Sequence, residues 1–234
     1  MKKTIILNHK SDLTLQEVKE YLLNINDIVR NDLNTIICPS PIYIPYFTGK
    51  YKFKLASQNI STNSLTGEIT GEVLKSTSVE YVLIGHHDRK EYENSKIINE
   101  KIKEALKHNI TPIVILGETY YQKELRKTGE VISKQLREYF QGIEVNQDIL
   151  LVYAPNWSYK GKELPTREYV TEVVELIKNI IKRKHNANLK VLYGGHVTPS
   201  NVKTIDKTPN IDGILIEKSS TNIEKLKTIL DIIE

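Results

Sequence analysis

The chain has 234 residues, of which 39% are hydrophobic, 33 are Lys or Arg, 29 are Asp or Glu and one is Cys. This composition is typical of a globular domain with a sizeable core, and it excludes a disordered chain, a disulfide scaffold and a Cys-based zinc site. A net charge of +4, with lysines interleaved among acids, gives no support for nucleic-acid binding. No apolar run approaches the roughly 20 residues that cross a bilayer, so we expect a cytoplasmic protein without membrane contact.

Short runs of β-branched residues recur along the chain, and each is followed by a longer stretch with helical spacing. The predicted strands are 4–7, 35–38, 54–58, 81–85, 112–117, 149–154, 191–194 and 213–216. Strands such as 81–84 and 113–116 are apolar on both faces, which is typical of parallel strands covered by helices.

The helical stretches carry apolar residues at three- and four-residue spacing, as in Leu15, Val18, Leu22 and Ile25. About eight strand-helix units in 234 residues predict one α/β domain over residues 1–234, a closed (β/α)8 barrel. An open doubly wound sheet is the alternative, but the Gly-rich fingerprint of a dinucleotide fold does not follow the first strand. The lone Cys38 lies in an apolar run and is predicted to be a buried core residue.

Polar residues end several of the predicted strands abruptly, and in a parallel barrel these ends carry the active site. The segments are Asn8-His9-Lys10, Gly85-His86-His87-Asp88-Arg89, Tyr153-Ala154-Pro155-Asn156-Trp157, Tyr193-Gly194-Gly195-His196 and Glu217-Lys218-Ser219-Ser220. In this order they resemble the triosephosphate isomerase family along essentially the whole chain. Asn8-x-Lys10 is similar to the family's Asn-Trp-Lys, Gly85-His86-x-x-Arg89 to its Gly-His-Ser-Glu-Arg, and Tyr153-x-Pro155-x-Trp157 to its Tyr-Glu-Pro-Val-Trp.

The resemblance implies an isomerase that interconverts an aldose phosphate and a ketose phosphate through an enediol, with no cofactor. It implies that His86 polarises the substrate oxygens, Lys10 stabilises enediolate charge and Asn8 positions both. Asp88 and Arg89 would then have a supporting role. Asp88 stands where the family has Glu, and because Asp is shorter, its reach toward Lys10 is in question.

The family's catalytic base is the Glu of Tyr-Glu-Pro, and this position is Ala154 here. A methyl group cannot accept a proton, so the resemblance implies an isomerase that is inactive or nearly so. Tyr153 is expected to point to the other side of the strand, and Glu163 lies nine positions further along, so neither replaces the base.

The positions that grip the substrate phosphate in the family are also changed. They read Lys160, His196, and Glu217 with Lys218, where the family has a loop Gly, a Ser and a Gly-Gly pair. Glu217 would add negative charge to a site for a dianion, and Lys160, Lys218 and a protonated His196 would compensate for that charge in part. Alternatively, Glu217 and Lys218 pair with other charges at the barrel rim, and no anion site is left. In the family, a mobile lid follows the sixth strand. By resemblance this chain keeps the hinge residues Pro155 and Trp157 of the lid, whereas residues 158–162 at its tip differ from the family's sequence.

Three hypotheses follow from these departures. The first is a triosephosphate isomerase-like enzyme for a small sugar phosphate, whose base was lost naturally or by engineering. The resemblance implies that it forms a homodimer, although the loop at residues 60–65, after the third strand, is a few residues shorter than the family's dimer-forming loop. The second is a non-catalytic barrel that binds an anionic metabolite or a protein partner. The third is a metal site at His86, His87 and His196, but no carboxylate joins them at an evident ligand spacing, so no metal is predicted.

Overall fold

Eight parallel strands pair in chain order, and β8 closes onto β1 to form a barrel. The computed structural model describes residues 2–49, 51–145, 148–158 and 163–234. The strands are β1 Thr4–Asn8, β2 Asn34–Cys38, β3 Lys54–Ser57, β4 Tyr81–Ile84, β5 Thr111–Leu116, β6 Leu150–Tyr153, β7 Lys190–Tyr193 and β8 Gly213–Ile216. The predicted (β/α)8 barrel is confirmed, and the strand boundaries differ from the predicted ones by one residue at most at either end.

Helices follow the strands and cover the outside of the barrel. They are α1 Leu15–Ile28, α2 Gly71–Lys75, α3 Ser95–Lys107, α4 Tyr120–Glu124, α5 Thr128–Tyr139, α6 Arg167–His185, α7 Val202–Asp206 and α8 Ile223–Ile232. Short 3-10 helices occupy Pro41–Phe47, His87–Arg89 and Lys218–Thr221. None of the helices in the described segments is long and apolar enough to cross a membrane.

The apolar residues of the strands divide into two layers because successive side chains point to opposite faces. One layer, which includes Leu7 and Tyr153, packs against the buried apolar faces of the helices, such as that of α6. The other layer fills the barrel interior and includes Cys38, Val152 and Ala154. Cys38 is fully buried, and this burial raises the pKa of its thiol well above the usual value, so the prediction of a core cysteine is confirmed.

Candidate active site

The polar side chains at the strand ends converge on one mouth of the barrel. Asn8 is the last residue of β1, His86 lies two residues after β4, Ala154 follows β6 directly and Glu217 follows β8 directly. In a parallel barrel these are all carboxyl ends, so the four elements meet at the same rim.

Lys10 extends from the end of β1 into this mouth. Its backbone has φ +51°, a left-handed conformation that is uncommon for a residue other than glycine. Its carbonyl accepts a 2.7 Å hydrogen bond from Nε2 of Gln58. Nζ of Lys10 lies 2.8 Å from Oδ2 of Asp88 and 3.4 Å from Oε1 of Glu217. Asp88 therefore reaches Lys10 despite its shorter side chain.

His86 is buried, and both of its ring nitrogens have partners. Nδ1 accepts a hydrogen bond from the backbone N–H of Asp88 at 3.2 Å. Nδ1 must therefore carry a lone pair, which leaves the proton of the neutral ring on Nε2. Nε2 lies 2.7 Å from Oε1 of Glu217 and donates its proton to that oxygen. The two contacts therefore assign the tautomer of His86 in which Nε2 carries the proton, and this N–H points into the mouth.

Glu217 is 8% exposed, and its carboxylate is the centre of the mouth. Besides His86 and Lys10, it accepts a hydrogen bond from Nδ2 of Asn8 at 3.4 Å. Burial alone would raise the pKa of Glu217, but the hydrogen bond from His86 and the charge of Lys10 outweigh it and hold the pKa below its usual value. The carboxylate oxygen thus lies where an oxygen of a bound ligand would meet the proton of His86 and the charge of Lys10.

Ala154 faces the barrel interior and is 8% exposed. Tyr153 packs on the opposite face of β6, as predicted from strand alternation. The carboxylate of Glu163 lies 2.5 Å from Nζ of Lys123 and forms an ion pair with it. Neither neighbour brings a basic group to the position of the Ala154 side chain.

The segment after β6, which the resemblance predicts to be a lid hinge, is tied to a buried carboxylate to which our sequence reasoning gave no role. Oε1 of Glu118 accepts hydrogen bonds from Nε1 of Trp157 at 2.8 Å, from the hydroxyl of Tyr169 at 3.0 Å and from that of Tyr153 at 3.1 Å. Glu118 is fully buried. A charged residue two positions after the apolar strand β5 was the available signal for this role.

The other predicted site residues lie at the rim or away from the mouth. His196 and Lys218 are exposed, and Arg89 forms an ion pair with Glu93. Lys160 lies outside the described residues. The structure thus brings Asn8, Lys10, His86, Asp88 and Glu217 together, and it leaves His196 and Lys218 in solvent.

His87, which the resemblance gives no role and which we named only in the metal hypothesis, also lies against this cluster. Its ring centroid is 4.1 Å from that of His86. Burial is the largest cause that lowers the pKa of His87 to about 4. One ligand atom each of His86, His87 and Glu217 lies within 4.8 Å of the others. The sequence shows no carboxylate at an evident ligand spacing from these histidines, but the structure brings Glu217 to His86 and His87 from the far side of the barrel. The cluster found among the described residues has Glu217 in the place that the hypothesis gave to His196.

A cavity of about 320 Å³ opens beside this cluster. Its lining includes Asn8, Lys10, His86, Gln58 and Glu68. A concave polar cavity with a lysine, an imidazole and amides on its wall suits a small polar ligand.

The fold and the site together define a (β/α)8-barrel protein with a polar cavity at the carboxyl ends of its strands. The sequence model of the triosephosphate isomerase family matches residues 3–233. The chain is 34% identical to the triosephosphate isomerase of Wigglesworthia glossinidia brevipalpis, over 100% of this chain and 97% of that protein. It is 31% identical to the triosephosphate isomerase of Alkaliphilus oremlandii, over 99% of this chain and 100% of that protein. The chain therefore belongs to the triosephosphate isomerase family.

Proposed function

We propose that this chain keeps the electrophilic half of a sugar-phosphate isomerase and lacks the basic half. The observation that carries the proposal is that Lys10 and an Nε2-protonated His86 both contact Oε1 of Glu217, in a mouth where the residue after β6 is Ala154. The substrate class is a small phosphorylated sugar, of which triose phosphate is the simplest.

Enolisation of such a sugar needs two kinds of group. An ammonium and an N–H donor aimed at the carbonyl and hydroxyl oxygens stabilise the charge that develops there, and Lys10 and His86 supply both. A carboxylate must also remove the proton from carbon, and a positioned base typically contributes about 10²- to 10⁴-fold in rate. The chain is therefore expected to isomerise sugar phosphates at a negligible rate.

Restoring the carboxylate tests this proposal. Ala154→Glu should give measurable interconversion of triose phosphates, whereas Ala154→Gln, with nearly the same volume and no basic group, should not. Absence of activity in Ala154→Glu on every triose and tetrose phosphate would contradict the proposal.

A second candidate is a non-catalytic barrel that binds an anionic metabolite or a protein partner. The observation that favours it is the hydrogen bond that the carboxylate of Glu217 accepts from Nε2 of His86. This carboxylate would have to move before a substrate oxygen could bind to the same N–H. Binding of a phosphorylated ligand would then fall to cations at the rim, of which Lys218 is one.

Thermal unfolding in the presence of phosphate or phosphoglycolate tests the second candidate. A ligand at 100 times its Kd stabilises the folded state by about 2.7 kcal/mol, which is readily measured. The stabilisation should fall steeply with salt and should weaken in Lys218→Ala more than in Lys225→Ala, which removes an exposed lysine from α8. No stabilisation by either anion would count against an anion-binding barrel.

We further infer a homodimer built on the loops after β2 and β3. These loops expose large apolar side chains, namely Ile42, Tyr46 and Leu65, which are 73%, 44% and 65% exposed. A partner that covered them would remove this apolar surface from water. The mass measured by light scattering should be about twice that of the chain, and it should halve in Ile42→Lys. A monomer in the unmodified protein would exclude the dimer.

A further inference from the structure

Three departures from the family pattern lie side by side in the mouth. His87 stands at the family's Ser position, Asp88 at its Glu position and Glu217 at a Gly of its phosphate grip. His87 follows His86 directly, whereas Glu217 comes from β8 on the opposite side of the barrel. Apart from the contact of Asp88 with Lys10, the isomerase role uses none of these replacements, yet the fold brings the three residues together.

We propose that His86, His87 and Glu217 form a binding site for a divalent transition-metal ion of the class that Zn²⁺ represents. One ligand atom from each residue lies within 4.8 Å of the other two. Two imidazoles and one carboxylate form a donor set that suits zinc and its neighbours, whereas Mg²⁺ and Ca²⁺ prefer oxygen ligands alone. Three protein ligands leave a further coordination position open for water or another small ligand.

The hydrogen bond between His86 and Glu217 marks the position of the ion. Nε2 and Oε1 are 2.7 Å apart, with a proton between them. Zinc bonds to nitrogen and oxygen are about 2.0–2.2 Å long, which places two ligand atoms of a tetrahedral site roughly 3.4 Å apart. The ion can therefore replace the proton if the two atoms separate by less than about 1 Å.

Asp88 provides the orienting contact that such a site needs. When Nε2 binds the ion, the ring proton moves to Nδ1, which now faces the backbone N–H of Asp88. Oδ2 of Asp88 lies 3.5 Å from the same nitrogen and can accept this proton. A carboxylate that holds the second nitrogen of a metal-bound histidine is a common feature of metal sites.

The charges of the cluster set its affinity. Asp88 and Glu217 are anionic and Lys10 is cationic, so with neutral imidazoles the cluster carries one negative charge that a divalent ion more than balances. Lys10 opposes the ion, because its Nζ lies 3.4 Å from Oε1 of Glu217 and 2.8 Å from Oδ2 of Asp88. Removing the charge of Lys10 should therefore strengthen metal binding.

The test is calorimetric titration of the full chain, first freed of metal by a chelator, with Zn²⁺ and in parallel with Mg²⁺. We expect one Zn²⁺ per chain and much weaker binding of Mg²⁺. Loss of a residue that only holds a metal ligand in place typically weakens binding by roughly 10- to 100-fold, and Asp88→Asn should fall in this range. His87→Ala and Glu217→Gln each remove a ligand and should weaken Zn²⁺ binding by more than that. His185→Ala, which removes a histidine at the end of α6, is the matched control and should leave binding unchanged.

Lys10→Met gives a second, independent readout because it should tighten Zn²⁺ binding by at least about tenfold, the opposite of a loss caused by misfolding. Circular dichroism should show that each variant is folded. No Zn²⁺ binding by the unmodified chain, equal binding in His87→Ala and Glu217→Gln, or equal affinity for Mg²⁺ would each overturn the proposal. The titrations contain no sugar phosphate, so they fail or succeed independently of the proposed isomerase chemistry.

Discussion

Oε1 of Glu217, at the end of β8, lies 2.7 Å from Nε2 of His86, at the end of β4 on the opposite side of the barrel. This contact crosses the mouth in which a substrate of the family would bind. It engages the one proton that His86 directs into the mouth, and it places a buried negative charge beside Lys10.

The first prediction concerns this carboxylate. Glu217→Gly should tighten the binding of phosphoglycolate at least about tenfold, because like charges brought close together in a buried site cost several kcal/mol and tenfold corresponds to about 1.4 kcal/mol. Calorimetry in the presence of a chelator would measure the change without interference from metal ions. Glu172→Gln, an exposed change on α6, is the control. Unchanged or weaker binding in Glu217→Gly would show that the carboxylate does not compete with the ligand.

The second prediction concerns His9, which lies between Asn8 and Lys10 and points away from the mouth. Its ring is 2% exposed and packs edge-on against Tyr21 at 4.7 Å and near Phe47 at 5.8 Å. Neither ring nitrogen has a hydrogen-bond partner among the described residues. Burial lowers the pKa of His9 from 6.5 to about 3.

The unfolded chain therefore binds a proton at His9 below pH 6.5, whereas the folded chain does not until about pH 3. The free energy of unfolding should fall by up to about 1.4 kcal/mol for each pH unit across this range, on account of His9 alone. In His9→Phe the loss of stability between pH 6.5 and 3 should be less steep. Denaturant unfolding at several pH values would measure both slopes, and parallel slopes in the two proteins would contradict the assignment.

The third prediction concerns the hinge. Glu118→Gln should lower the free energy of unfolding by about 1.5–3 kcal/mol, because hydrogen bonds to a charged acceptor contribute that much and the amide receives three buried donors less well. Trp157 is the chain's one tryptophan, so its emission reports the hinge directly and should change in the same variant. Glu130→Gln, on the exposed start of α5, should change neither quantity. An unaltered emission spectrum in Glu118→Gln would show that Glu118 does not hold the hinge.

The barrel could be predicted from the sequence because its signals are local. A strand such as β4 is apolar on both faces, and this pattern needs helices on one side and a packed interior on the other. The order of the strands followed from the alternation of strands and helices, and the convergence of Asn8, His86 and Ala154 followed from the parallel barrel.

The chemistry of the mouth could not be predicted in the same way. Whether Glu217 extends toward solvent or toward His86, 131 positions away in the chain, depends on the tilt and stagger of the closed barrel. The same holds for Asp88, whose contact with Lys10 depends on the left-handed backbone of Lys10 and on the turn after β4. A contact between two side chains on different strands of a barrel produces no periodic sequence pattern in either strand or in the loops that follow them.

The most direct test of the central claim is proton exchange at the substrate carbon of a triose phosphate, followed by NMR in deuterated water. The claim is that Lys10 and His86 remain organised for enolisation while the base at position 154 is missing. We predict negligible exchange by the unmodified chain, exchange that rises with added formate acting as the missing carboxylate, and loss of this rescue in Lys10→Ala. Exchange at the rate of an ordinary isomerase without formate would contradict the claim, because another residue in the mouth would then be the base.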